Sequence, residues 1–187
     1  AHAPITGGCW RIDSCMGARV RAWLARLREK ALGRRWRYVV WHTAAHGNVR
    51  TGEVYDTSAA QIDAWHRAQG WRGIGYHFVV RLDGRVEEGR SLSEVGSHVR
   101  GLNRQAIGIC FSGHGDLQPL SDAQVRAGVA LTAALCKSYG IPVHRVLGHR
   151  ECGELVGYAI GKTCPGKLVD MREMRVKVQE ALDAVSE

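Results

Sequence analysis

Apolar residues recur with two different periods along the chain, and the changes of period sort it into helices and strands. Between residues 17 and 33, Val20, Trp23, Leu24, Leu27, Ala31 and Leu32 return every three or four positions with arginines between them. That spacing predicts an amphipathic helix, with Gly33 to end it. Residues 38–42 are β-branched and aromatic up to a final histidine, the pattern of a buried strand. A loop is expected over 48–56. Thr57 or Ser58 then caps a helix running to about Gln69, with Ile62, Trp65 and His66 on one face.

Glycines at 70, 73 and 75 break that helix, and residues 74–82 read as a strand. Asp83-Gly84 is the best hairpin turn in the chain, and 85–88 return as its partner strand. Residues 106–112 form another buried strand. Ser121-Asp122-Ala123-Gln124 has capping-box spacing and opens a helix in which Val125, Val129, Thr132, Leu135, Cys136 and Tyr139 repeat, up to Gly140. A short strand over 143–147 and a last helix over about 167–185 complete the pattern. One hairpin among several helical crossovers implies an α/β fold, with a mixed central sheet flanked by helices. No internal repeat, low-complexity tract or dividing linker interrupts it.

Composition narrows the function classes. With 187 residues, 45% hydrophobic and 24% charged, the chain is long enough for one well-cored domain and is not disordered or fibrous. No run of about 18 apolar residues is present, so no membrane-spanning helix is expected. The opening Ala1-His2-Ala3-Pro4 lacks the layout of a signal peptide, and since the chain does not begin with Met a removed signal stays open.

The formal charge of +8 is concentrated: residues 1–37 carry nine Lys or Arg against Asp13 and Glu29, leaving a nearly neutral body over 38–187. We therefore divide the chain into a basic N-terminal extension (1–37) and a body that forms the main domain (38–187). The extension's helix either packs on the body with its arginines in water or offers a cationic surface to anionic lipid or wall polymer; nucleic acid is the less favoured partner. The six cysteines, at 9, 15, 110, 136, 152 and 164, do not make a disulfide scaffold, and Cys9–Cys15 is the best-placed pair should one form.

Three apparent motifs fail. Gly157 to Thr163 resembles a phosphate loop but has three residues between its glycines where four are needed. His149-Arg150-Glu151 has the H-x-E form of a nucleobase deaminase without the downstream P-C-x-x-C. His42 and His46 have zincin spacing, but Thr43 stands where the glutamate belongs and the segment reads as a strand.

One constellation survives. His42 ends the first strand, His149 follows the 143–147 strand, and Cys164 lies in Lys162-Thr163-Cys164-Pro165-Gly166. Imidazole and thiolate suit zinc, and three protein ligands with an open fourth position form a catalytic site. From spacing alone the alternative is favoured: a core histidine, a loop histidine and a buried thiol.

Further segments surround these residues in order: Val39-Val40-Trp41-His42, Trp65-His66-Arg67-Ala68-Gln69-Gly70-Trp71, Ile74-Gly75-Tyr76-His77-Phe78, Asp83-Gly84-Arg85-Val86-Glu87-Glu88-Gly89-Arg90, Val95-Gly96-Ser97-His98, Asn103 with Ile107-Gly108-Ile109, Gly148-His149-Arg150 and Lys162-Thr163-Cys164-Pro165. Over about residues 38–170 the sequence resembles the zinc-dependent N-acetylmuramoyl-L-alanine amidases and their relatives the peptidoglycan recognition proteins, most of all the phage lysozyme-type endolysins. The resemblance implies one Zn²⁺ held by His42, His149 and Cys164. It implies hydrolysis of the amide between N-acetylmuramic acid and the L-alanine of the stem peptide, with peptidoglycan as partner and catalytic roles for Tyr76 and Lys162. An endolysin of this kind is expected to be a monomer made in the host cytoplasm that acts on the wall after release. A non-catalytic peptidoglycan receptor and a muropeptide-recycling amidase are the alternatives.

The chemistry fits those residue types. Zinc acidifies water and polarises a carbonyl, while an amide needs a proton for its leaving nitrogen and a counter-charge for its oxyanion. Tyr76 is expected to relay the proton, with its pKa lowered by the metal, and Lys162 to stabilise the oxyanion. No carboxylate is evident as base, in contrast to relatives that use Glu, and Glu151 is not nominated. The competing reading of Tyr76 is a core aromatic sharing a strand face with Phe78 and Val80. His98, Asn103 and His77 are grouped as substrate-binding. Asn103 could equally pin a loop, and His77, on the opposite strand face from Tyr76, has a structural role as its rival reading.

Overall fold

The computed structural model describes residues 9–10, for their backbone, and 36–184. The expected helix over 17–33 and the Cys9–Cys15 pair lie outside the described residues. A six-stranded sheet runs in the order β1 (Cys9–Trp10), β6 (Val86–Glu88), β5 (Phe78–Val80), β7 (Ala106–Phe111), β2 (Tyr38–Thr43), β8 (Val146–Gly148). The β1–β6 and β6–β5 pairs are antiparallel and the other three are parallel, so the sheet is mixed as expected. Helices α1 (Ala59–Ala68), α2 (Asp122–Tyr139) and α4 (Met171–Asp183) flank it, with a single helical turn, α3 (Gly153–Val156), on the way to the last. Among the described residues no helix is long and apolar enough to cross a membrane.

Strand alternation assigns the two faces. Val39, Trp41, Ile107, Ile109, Phe111, Phe78 and Val80 pack with Ala127, Leu131 and Leu135 of α2 and Met171, Met174 and Val178 of α4 in the main core. The residues between them point the other way. There Val40, Ala106 and Cys152 pack with Val99 and Leu102, and Val79 and Cys110 pack with Ala59 and Ile62 of α1. Within the main core, Trp41 Nε1 donates to Thr132 Oγ1 at 3.0 Å.

The helix signals were legible. Ser58 rather than Thr57 caps α1, in a reciprocal box with Gln61, while the Thr57 hydroxyl bonds His46 Nδ1 at 3.0 Å. Ser121 and Gln124 form the expected box on α2, and Gly140 ends it with φ +64°, a conformation that suits glycine. Gln124 also donates to the Val80 and Ser112 carbonyls at 3.3 and 3.0 Å, tying the helix start to the sheet.

Four boundaries differ. The 74–82 strand is confined to Phe78–Val80, so Tyr76 and His77 precede it in a bent approach. The 48–56 loop contains a small hairpin, β3 (Gly47–Asn48) with β4 (Glu53–Val54). Val143–Arg145 is a 3-10 turn and the strand follows it, because Pro142 opens the turn and only Val146–Gly148 pair with β2. The last helix begins at Met171, since Asp170 caps it by accepting from the Arg172 and Glu173 amides. Of residues 1–37, Trp36 is buried in the main core, and Cys9–Trp10 form the outermost strand of the sheet.

Candidate metal centre

His42 and Trp41 are neighbours in β2 and point to opposite faces, which puts one in the main core and the other on the site face. The register Trp41↔Gly148 brings the ends of two parallel strands level, so His42 and the residue following β8, His149, come side by side. Their ring centroids are 4.8 Å apart. Cys164 arrives on a separate loop, with its Sγ 3.6 Å from His42 Nδ1. One donor atom from each of His42, His149 and Cys164 lies within 4.8 Å of the others.

Arg150 and Asp116 hold that loop. The Arg150 amide donates to the Cys164 carbonyl at 2.8 Å, and its guanidinium donates to the carbonyls of Thr163, Gly166 and Val169 at 3.1, 2.6 and 2.6 Å. The residue after one ligand thus brackets the segment carrying another. Asp116 accepts from Thr163 Oγ1 at 2.7 Å and from the Lys167 amide at 2.6 Å. Glu151 accepts from the Gly148 amide and pairs with both guanidinium nitrogens of Arg175 on α4 at 2.9 and 3.0 Å. It is an anchor and not a base. Sequence reasoning missed Arg150 and Asp116, whose roles depend on backbone carbonyls and amides that no local pattern marks.

The electrostatics suit a soft cation. Burial, then the charges of His98, His149 and Lys162, hold His42 well below the usual imidazole value. Burial and Lys162 lower His149 as well. Both rings are therefore neutral near pH 7, the form that coordinates. Burial pushes the Cys164 thiol up to about 11 against the opposing pull of the Thr43 backbone, Lys162 and Arg150. Two neutral imidazoles and a thiol that needs a nearby cation in order to ionise form the donor set zinc prefers.

Tyr76 stands over this cluster with its ring 5.0 Å from that of His42. On the protein's own groups alone its phenol is raised well above the ordinary value, by burial first and then by Cys110 and Cys164. The expected lowering is therefore not something the surrounding residues provide; the phenol keeps its proton. Lys162 is exposed, yet its charge is felt at His42, His149 and Cys164, which puts it at the open edge of the cluster.

The three residues grouped as substrate-binding all make hydrogen bonds within the protein. His77 is 1% exposed, and its Nδ1 accepts from the Gly108 amide at 3.0 Å while Nε2 faces the Glu94 carbonyl at 3.2 Å. So enclosed a ring is placed as the rival, structural reading has it. Asn103 Oδ1 accepts from the amides of His98 and Val99, both at 2.8 Å, and so pins the loop. His98 lies beside the cluster, with Nδ1 3.0 Å from His42 Nε2 and Nε2 3.1 Å from the Ala106 carbonyl.

The family model for N-acetylmuramoyl-L-alanine amidases, Amidase_2, matches residues 32–167. The chain belongs to this amidase family. An endolysin of Klebsiella phage KP32 is 46% identical over 63 residues, which is 34% of this chain and 42% of that protein. Peptidoglycan-recognition protein SC2 of Drosophila simulans is 32% identical over 131 residues, 69% of this chain and 67% of that one. The fold matches N-acetylmuramoyl-L-alanine amidase LysC from Clostridium intestinale URNW with a TM-score of 0.66 and 28% identity, over 78% of this chain and 87% of that one. The matched stretch spans under half the length of the KP32 phage endolysin. The residues that form the cluster, and the sheet and flanking helices apart from β1 and α4, fall within the family segment.

Proposed function

We propose that the protein is a zinc-dependent amidase that cleaves the bond between the lactyl group of N-acetylmuramic acid and L-alanine in peptidoglycan. The observation that carries the reading is the convergence of His42, His149 and Cys164 to within 4.8 Å, on the site face of an amidase fold. A zinc ion held by them would supply a Lewis acid for the scissile carbonyl and an acidified water. The remaining work falls to the chain's own groups. Tyr76, kept as a phenol by burial, donates its proton to the leaving nitrogen and is restored by the proton that the attacking water gives up. The Lys162 ammonium, at the open edge, faces the developing oxyanion. Arg150 and Asp116 keep Cys164 in place between turnovers.

The deciding experiment is mass spectrometry of purified peptidoglycan incubated with the protein as purified, zinc-stripped and zinc-restored. Free stem peptides beginning with L-alanine, lost on stripping and regained with zinc, are expected. Retention of muropeptide with no product in any state would replace this reading with a receptor, in keeping with the likeness to an insect recognition protein. Cleavage of soluble fragments but not of sacculi would mark a recycling enzyme.

The basic extension is read as a contact for anionic lipid or wall polymer. Deleting it would also remove the edge strand Cys9–Trp10 and the core residue Trp36, so charge neutralisation is the better test. Replacing Arg19, Arg21, Arg26 and Arg28 by Gln should spare cleavage of purified sacculi and weaken action on intact cells; equal loss in both assays would overturn the assignment.

A further inference from the structure

His98 sits beside the ligand cluster, and its hydrogen bonds determine more than its location. A backbone carbonyl only accepts, so the 3.1 Å contact to the Ala106 oxygen requires a proton on His98 Nε2. In a neutral ring that leaves His98 Nδ1 bare. His42 Nε2, 3.0 Å away, must then be the donor in that pair. With its proton on Nε2, His42 presents the lone pair of Nδ1, the atom that lies 3.6 Å from Cys164 Sγ and faces the cluster. The proton positions thus follow in sequence from one carbonyl of β7 to the coordinating atom of β2.

The fold has a slot built for this ring. A Cβ added to Gly108 would lie 2.8 Å from His98 Cδ2 and Cγ, and one added to Gly96 would lie 2.6 Å from His98 Cδ2. Both are closer than carbon atoms tolerate, so the ring is flanked by two glycines that leave it room. The Gly108 amide is fixed by His77 Nδ1, and the His98 amide by Asn103 Oδ1, so one wall of the slot and the residue that fills it are held by hydrogen bonds. All three residues grouped by resemblance as substrate contacts converge on one structural task.

We propose that His98 is a positioning residue that locks His42 in the Nε2–H tautomer and orients its Nδ1 for the metal, with Gly96, Gly108, His77 and Asn103 holding it there. The proposal rests on the reading of His42 as a ligand. It differs from a substrate-binding role, which would act on KM and leave metal affinity alone.

The test uses the full chain, zinc-loaded and zinc-stripped, and two readouts. Long-range ¹H–¹⁵N correlation spectra report which ring nitrogen carries the proton. In the zinc-stripped wild type, His42 and His98 should both be Nε2–H. In His98→Ala, His42 should populate both tautomers, and zinc affinity measured by chelator competition should fall about 10- to 100-fold. KM for muropeptide at saturating zinc should stay within about twofold of wild type. His98→Asn, whose amide oxygen can stand near the Nδ1 position, should recover part of the affinity. Gly108→Ala keeps His98 but crowds its slot, and should mix the His42 tautomers in the same way. An Nδ1–H form of His42 in the stripped wild type would overturn the proposal, as would unchanged zinc affinity in His98→Ala with a raised KM. If the wild type binds no zinc, the amidase reading fails, and the tautomer spectrum still decides the relay separately.

Discussion

The two faces of the central sheet are built on different principles from alternate residues of the same strands. The face toward α2 and α4 is hydrocarbon: Val39, Trp41, Ile107, Ile109 and Phe111 are held by close packing, with the Trp41–Thr132 bond as its polar tie. The opposite face places His42, Gly108 and Cys110 in the corresponding positions and holds them through His77, His98, Asn103 and a loop clamped by Arg150. Packing is tolerant of direction and supplies stability in proportion to buried area. Hydrogen bonds supply little net stability, but they fix which atom points where. A candidate metal centre needs the second property, and the apolar face gives it a close-packed floor.

That contrast can be broken from either side. Cys164→Ala or His42→Ala should have the largest effect, lowering amidase activity by ~10³-fold or more and abolishing stoichiometric zinc. Zinc-stripped variants should unfold close to the stripped wild type in thermal scans. A large drop in their stability would mean that the site face also carries the fold. Trp41→Ala should do the reverse, destabilising the protein by about 3–5 kcal/mol in denaturant titrations while the surviving folded fraction still binds zinc.

The third effect concerns pH. Because the Cys164 thiol stands at about 11 and both histidines are already neutral, zinc binding at neutral pH must expel about one proton. The dissociation constant should fall about tenfold per pH unit between about 7 and 9, as read by competition against a chelator of known pH dependence. A flat profile would place an ionised thiol in the metal-free site. The zinc-stripped protein should show a second pH signature. His42 and His98 have folded values below the unfolded one, so the stability they confer is complete above about pH 6.5 and is lost as the pH falls toward their folded values. Asp56, Asp63 and Glu151 are also depressed, but their contributions go only below the unfolded carboxylate range near 4. His66 and His149 are depressed as well, so a loss between pH 6.5 and 5 belongs to these four histidines together.

Thr132→Val should cost about 1–3 kcal/mol by leaving the Trp41 indole N–H buried without its acceptor. Smallest of all, Lys177→Ala removes a 3.4 Å pair with Glu173 that water screens on both sides, and should shift stability by less than about 0.5 kcal/mol.

Much of this was legible in the chain. Helix starts at Ser58 and Ser121 and the stop at Gly140 are local chemistry, written within four residues of where they act. The alternation through Val39, Val40, Trp41 and His42 announces a buried strand, and the ordered segments from His42 to Cys164 announce the amidase family. Less was legible where pairing decides the outcome. Residues 74–77 have strand composition, yet the approach stays bent, with Tyr76 set over the cluster and the 75–77 backbone bonded to Ser97, Arg90, Gly89 and Gly108 around the slot. The 3-10 turn at Val143–Arg145 is likewise outside the reach of β2.

The sequence by itself determined which residues could be ligands, which face of each strand they take, and where most helices begin and end, because those depend on side-chain type and a fixed backbone period. Only the tertiary structure decided the roles around them. His98, His77 and Asn103 are the same residue types whether they touch a substrate or hold a ring, and Arg150 is one arginine among many. What separates these roles is the location of a carbonyl or an amide about 3 Å away, contributed by segments from four to 31 residues distant along the chain. No local pattern encodes that distance; it exists once the strands are in register.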